Sequence, residues 1–453
     1  MLRPGGPGDK YRRAEPSTAS REVCYGAPMM DDYAGAFDPG HGLASLSRRA
    51  LAGLGREYML FGHLLNRAAL PIVHVRLGPQ DREDVAIEEW MGASPIYSQR
   101  MQRAMRFEGD GVGTIMRNLQ LDVGFAHQYM DVHYALDDET RGSFWLQRCG
   151  ALLEVEPHGE AAVFSMCHAI EDPTFDATAV ATNPRARCRP VHRPPRTPVD
   201  RVPHCRWEVF IDPDAEPVRE IALTTRIRAS RLAKLPASIV DGDNRGGWDD
   251  YAKPFVPDFH LGYLSHAALV IVCRELLMQN HLLVRALMMS VADRGGAAVA
   301  HDVGLAQWIG SGAVASRRLR AALGIPDDDV GAVLKVLQFH PAFLPGYADV
   351  RLERIAADRG RLSIGDCDAL HEDDAMSWFG MLDAAPEPAL DAMVQAVVPG
   401  ARCLPATPSG GARFAWDVVA DRGAPAAPER PEVAMVAATG TARFRFADPG
   451  IVG

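Results

Sequence analysis

The chain has 453 residues, is 47% hydrophobic and carries a formal charge of -10 at pH 7. That length and apolar content suit two ordinary domains with real cores, and the acidic balance excludes a duplex-binding surface, which needs a basic face to neutralise phosphates. Eight cysteines spread over this length are not a secreted disulfide scaffold and are expected as thiols or metal ligands in a reducing compartment.

From the N-terminus, residues 1–53 are rich in Pro, Gly and Arg with little periodicity, which predicts a flexible segment. Its opening, MLRPGGPGDKYRR, is basic but leads into no apolar run, unlike a secretory signal. Apolar residues at helical spacing in EYMLFGHLLNRAAL predict a first helix. SPIYSQRMQRAM predicts a second, with Ser94 as N-cap and Pro95 at its first position, and GDGVGTIMRNLQL a third that starts from Asp110. YMDVHYALDDETRGSFWLQRCGALLEV alternates on both sides of a polar turn and reads as a β-hairpin, in which Gly142 suits a left-handed position. GEAAVFSMCHAIED is helical up to a break at Pro173, and a short helix follows that ends before Asn183-Pro184. ARCRPVHRPP, CRWEVFID and REIALTTRIRASRL are expected to be extended. The segment containing VDGDNRGGWDDYAKPF predicts an exposed linker. The longest apolar run, AALVIVC from Ala267 to Cys273, is too short to cross a bilayer. The expectation is a cytoplasmic chain with no membrane and no nucleic-acid partner.

The elements then recur. GHLLNRA, Gly62 to Ala68, returns as NHLLVRA, Asn280 to Ala286, 218 residues further on. The same spacing pairs Trp90 with Trp308, Gln120 with Gln338, Tyr129 with Tyr347, Arg141-Gly142 with Arg359-Gly360 and Cys149 with Cys367, without a gap. After a slip of three residues, Pro173 meets Pro388, Asp176 meets Asp391 and Cys188 meets Cys403. The chain reads as a tandem duplication: a flexible segment 1–53, a first repeat 54–236, a linker 237–261 and a second repeat 262–453. Each repeat is expected to be an α+β domain of helices plus an antiparallel sheet, and the two to form a pseudo-dimer. GAPAAPERPE looks like a loop inserted before the last strands of the second repeat.

A duplication carries its own control, because positions kept in both copies are structural candidates and positions kept in one are functional candidates. Trp90, Tyr129 and the Arg-Gly turns are kept. By contrast Cys167 becomes Leu382, His168 becomes Asp383, and Glu171-Asp172 becomes Pro386-Glu387. CRPVHRPPR becomes CLPATPSGG, which removes His192, Arg193 and Arg196, and HCRW becomes RFAW, which removes Cys205. The first repeat is therefore where chemistry is expected.

Cys149, Cys167, Cys188 and Cys205 fall on successive elements that a sheet and a helix can bring together. Four thiolates, or three with His168 or His204, suit a tetrahedral zinc; small buried core thiols are the alternative. For hydrolysis, Cys167 is a candidate nucleophile, served by His192 or His204 rather than by adjacent His168, which points to a different side of the helix. Alternatively a metal activates water while Glu171 or Asp172 moves the proton, with His168 a further catalytic candidate. Arg187, Arg189, Arg193 and Arg196, with His192, are candidates to hold a substrate carboxylate or phosphate. Against this, the arginines can simply solvate a loop, and Glu171-Asp172 can cap the helix that follows.

The order of helices, hairpin, helix and terminal strands, with cysteines closing the last strands before an aromatic in CRWEVFI, resembles the 4-vinyl reductase domain. It is also similar to the L-2-amino-thiazoline-4-carboxylic acid hydrolase-like proteins, with one such domain per repeat. The first resemblance implies a pocket for small, often aromatic ligands and, in some members, a zinc. Its ligands here would be Cys149, Cys167, Cys188 and Cys205, although HRPPRTPVDRVPH replaces the usual glycines between the last two. The function expected is that of a metal- or cysteine-dependent hydrolase processing a small anionic or aromatic organic ligand in the first repeat. The alternative is a non-catalytic 4-vinyl reductase-like binding protein with a structural zinc.

Overall fold

The computed structural model describes residues 29–240, 246–382, 387–421 and 423–453. The Ser47 hydroxyl accepts the Ala50 N–H and starts α1 (Arg48–Leu77), which stops at Gly78. Gly78 has φ 101°, a conformation open to glycine, and Pro79 opens α2 (Pro79–Ala104), where a missing N–H has no intrahelical acceptor to lose. Next come α3 (Val112–Gln120) and the hairpin β1 (Met130–Asp138) and β2 (Arg141–Cys149). Two short helices, α4 (Gly150–Val155) and α5 (Glu160–Phe164), lead through a wide π-helical turn, Ser165–Ile170, into α6 (Glu171–Val180). Strands β3 (Ala186–His192) and β4 (Cys205–Ile211) complete an antiparallel sheet of order β1-β2-β4-β3. Phe144 and Trp207 are register partners in it, fully buried and stacked. Helices α7 (Ala222–Ala229) and α8 (Arg231–Lys234) follow.

The second repeat begins with α9 (His266–Ala322), capped by Ser265 and bent at Gly296, φ 82°, the counterpart of Gly78. An 18-residue window of α9 has a mean hydropathy of 1.4, and 83% of it is buried inside the protein, as befits a core helix. Then come α10 (Val330–Gln338), β5 (Val350–Arg354), β6 (Arg359–Gly365), α11 (Glu387–Gln395), β7 (Ala401–Pro405), β8 (Ala412–Ala420), α12 (Pro431–Ala437) and α13 (Gly440–Arg443). The sheet order, β5-β6-β8-β7, is that of the first repeat. The expected α+β architecture with two sheet-bearing halves is the one observed.

The halves are interlocked. Helix α1 lies so close to the second repeat that a Cβ on Gly55 would stand 2.6 Å from Leu261 Cδ1 and 3.5 Å from Cys273 Sγ. Arg100 pairs with Glu275 at 2.9 Å, and their counterparts reverse the contact, with Arg318 on Glu57 at 2.6 Å. The leading segments are exchanged too. Tyr33 donates its hydroxyl to Gln338 Oε1 of the second repeat at 3.1 Å, while Tyr251 donates to Gln120 Oε1 of the first at 2.6 Å. The trailing helices repeat the exchange. At the start of α8 the Leu232 N–H donates to Glu372 Oε1 at 2.8 Å, and in α13 the Thr441 hydroxyl donates to Glu154 Oε1 at 2.7 Å.

Several sequence expectations are corrected. Residues 29–53 are built into the fold, with Met30 bridged to Leu46, whereas 1–28 lie outside the described residues. The expected linker 237–261 instead buries Tyr251 and Phe259, and of it only 241–245 lie outside the described residues. Ser94 is not a cap, because α2 runs through Pro95; the carbonyl of Met91 that this proline cannot serve accepts the Thr224 hydroxyl at 3.2 Å. Helix α3 is capped by Gly111 rather than Asp110, without a side-chain bond. Gly142 lies in β2 at ordinary φ, and it is small because a Cβ there would sit 2.8 Å from the Ala135 carbonyl oxygen. REIALTTRIRASRL is helical, since Leu223 and Ile227 of α7 press onto Gly92 of α2. GAPAAPERPE precedes helices α12 and α13, not strands.

Candidate functional site

The stretch SMCHAI owes its geometry to the proline after it. Pro173 has no N–H to offer the carbonyl four residues back, and immediately upstream the helix widens, the Glu171 N–H reaching Met166 O. Wide turns of this kind gather at functional sites. The widening delivers Glu171 into a cavity of about 130 Å³ bounded by α1, α2, the sheet and α6. Its walls are largely apolar, with Trp90, Phe125, Leu146, Met166 and Phe175 among them.

A few polar groups enter this space. Glu171 Oε2 is enclosed and has no hydrogen-bond partner. Burial raises its carboxyl to about 8; Arg193 pulls the other way but is itself bonded to Asp172. Asp122 Oδ1 accepts the Gly124 N–H at 2.7 Å and the Tyr97 hydroxyl at 3.2 Å, and burial lifts the acid to about 6. His63 donates from Nε2 to the Gly124 carbonyl at 3.2 Å, and burial, helped by Arg67, drives its pKa down to about 3, so the ring is neutral. Arg67 is matched by Glu154 at 2.7 Å. With its amide oriented by the network, Asn66 donates to both oxygens of Glu89 at 2.9 and 2.7 Å.

The second repeat shows what is frame and what is not. His281 keeps its carbonyl bond, to Pro341 O at 2.9 Å, and Arg285 keeps its acid, Glu372, at 3.6 Å. Asn66, Glu89 and Asp122 are replaced by Val284, Gln307 and His340; Pro386, opposite Glu171, lies outside the described residues. One lining position there is bulkier. Met393, the counterpart of Thr178, is fully buried and reaches within 2.7 Å of where a Cβ on Gly312 would stand. Met381, the counterpart of Met166, and Trp378 are also buried, the latter 5.4 Å from the Trp308 ring.

The four cysteines divide. Cys149, Cys167 and Cys205 are buried around Glu171: burial raises all three thiols, Cys149 to about 12, and the carboxylate adds to each shift. Cys149 Sγ also accepts the Leu152 N–H at 3.3 Å, capping α4. Cys188 stands apart, its N–H on Asp176 Oδ1 at 2.7 Å, a bond that Cys403 and Asp391 duplicate at 2.7 Å. Among the described residues no group of three or more His, Cys, Asp or Glu has the spacing to hold a metal ion. The side chains thus offer the implied zinc no ready-made four-thiol cage.

The remaining candidates lie outside the cavity. His168 contacts the Pro194 carbonyl through Nε2 at 2.6 Å and stacks on Phe164, and Asp172 serves Arg193. Arg187 donates to backbone carbonyls, Arg189 to Asp176 at 2.9 Å, and Arg196 to Glu156 with two nitrogens at 2.7 Å; His192 donates to Pro203 O at 3.1 Å. Their partners make them loop supports. Sequence reasoning missed Asn66, Glu89 and Asp122, although the between-repeat comparison that singled out Glu171 marks them as well.

Comparison with family models, curated proteins and solved structures returns no match for this chain.

Proposed function

We propose that the protein binds a small, largely apolar organic molecule in the first repeat, in the cavity between α1, α2, the sheet and α6. The observation that carries this reading is the contrast between the repeats: one frame, held by the same histidine and arginine pair, is lined by Asp122 and Glu171 in the first copy, whereas in the second the bulky, buried Met393 stands in place of Thr178. A largely apolar concavity with a few convergent polar groups of shifted pKa is the usual form of a ligand site. Proton transfer to or from the bound molecule is the second reading. It is favoured by Glu171, whose carboxyl, raised to about 8, is poised near neutrality as general acid or base. A cysteine-dependent hydrolysis is less well supported, since burial raises the Cys167 thiol and withholds the thiolate.

The test transplants that methionine. Thr178→Met with Ser94→Gly installs the second repeat's pair, Met393 over Gly312, in the first. Small aromatics that stabilise the wild type in a thermal-shift screen should fail to stabilise this variant while its fold, read by circular dichroism, is kept. Retained binding in a folded variant would place the ligand elsewhere.

A further inference from the structure

We infer that the cavity selects a small organic amine, an ammonium or amino group carried on an apolar body, with Glu171 as its counter-group. This rests on the ligand-binding reading above and narrows it to a chemical class. Three observations lead there.

The cation beside the cavity is already spent. Arg67 donates through Nε to Glu154 at 2.7 Å and stands 3.4 Å from the Tyr129 hydroxyl, so its charge is already matched by an acid. The arginines that suggested an anionic ligand are bonded outside the lining, to Asp172, Asp176, Glu156 and backbone carbonyls.

The unspent groups are acids. Glu171 Oε2 is sealed from solvent without a partner, an arrangement that costs free energy unless a donor arrives. Asp122 is 3% exposed and has no cation among its hydrogen-bond partners, which are the Tyr97 hydroxyl and the Gly124 N–H. An anion entering here would meet two carboxyl groups, whereas an ammonium would satisfy Oε2 with a charge-assisted bond.

The walls suit the rest of such a molecule. Phe125, Phe175 and Trp90 present aromatic surface, which receives an apolar body and whose ring faces attract a cation. The protons balance simply: an ammonium that enters with its charge displaces the Glu171 proton to solvent, and a neutral amine takes that proton itself.

The test uses three size-matched probes, benzylamine, benzyl alcohol and benzoate, titrated calorimetrically into the full chain at neutral pH. A charge-assisted bond is worth about 1.5–3 kcal/mol, so benzylamine should bind about tenfold or more tighter than benzyl alcohol, with benzoate weakest. Glu171→Gln should erase the amine preference while leaving benzyl alcohol unchanged. The wild-type order stands as a test by itself should that variant not fold. Benzyl alcohol or benzoate binding as tightly as benzylamine, or an amine preference that survives in folded Glu171→Gln, would overturn the amine inference and leave the ligand-binding reading intact. Binding of none of the three would overturn both.

Discussion

Arg100 of the first repeat grips Glu275 of the second with two nitrogens, each 2.9 Å from a carboxylate oxygen, and the two side chains are only 4% and 6% exposed. Removing one partner of a buried pair strands the other charge and costs about 3–5 kcal/mol. Glu275→Ala, and its mirror Glu57→Ala, which strands Arg318, should each lower stability by that order in urea titrations. Arg76→Ala breaks the exposed inter-repeat pair with Asp302 and should cost no more than about 1 kcal/mol. Equal effects from the buried and the exposed pair would contradict the interlocked interface.

The exchange of segments makes a second forecast. The first repeat receives Tyr251 on Gln120 and Thr441 on Glu154 from its neighbour, and returns Tyr33 and Leu232. Fragments 29–240 and 246–453, produced separately, should each lack a cooperative thermal transition, and mixing them should restore one. A fragment that melts alone at the temperature of the intact chain would show that the exchange is ornamental.

Glu171 sets a pH dependence whose sign is fixed. Its pKa is raised on folding, from about 4.5 to about 8, so between those values the folded chain holds more protons than the unfolded one, and stability falls as pH rises. The wild type should lose on the order of a few kcal/mol between pH 5 and pH 8 relative to Glu171→Gln. Asp122, raised to about 6, adds a slope of the same sign over the lower part of that window. Buried neutral His63 acts the opposite way, its contribution being lost as pH falls below the free histidine value, which is why the informative quantity is the difference between wild type and variant. Parallel curves would mean that the carboxyl is not held in its protonated form.

Among the described residues, thiol chemistry separates the buried cysteines from the one that is partly exposed. Cys167 is buried and its thiol is raised by burial, while Cys367 is partly exposed. Of these two, iodoacetamide at pH 8 should label Cys367 first and reach Cys167 only on the timescale of unfolding, as read by peptide mass spectrometry. Rapid labelling of Cys167 in the native protein would restore it as a nucleophile.

The sequence made the duplication, the hairpins and the terminal strands legible because each rests on local pattern: a spacing of 218 residues that slips once by three, alternation, and turn residues. It misled where a tertiary contact overrides a local rule. Pro95 reads as a helix start, but Thr224 supplies the bond that Met91 would otherwise lack and the helix runs through. Leu223 and Ile227 sit in a run rich in β-branched residues, yet packing on Gly92 makes it helical. At the site, Glu171 stood out because both it and its neighbours change between repeats. The polar loop around it drew attention to arginines and histidines whose partners, Glu156, Asp176 and several carbonyls, only the folded chain reveals.

The reversed salt bridges also bear on how such a chain can vary over generations. Glu57 answers to Arg318 and Glu275 to Arg100, so a charge change tolerated in one half must be compensated in the other. Among descendants of this sequence, positions 57 and 318 should drift together, and 100 with 275, while 57 and 100, neighbours within one copy, stay uncorrelated. The second half, which lacks counterparts of Asn66, Glu89 and Asp122, therefore still accumulates change under constraint, because its mutations are felt as defects in the other half.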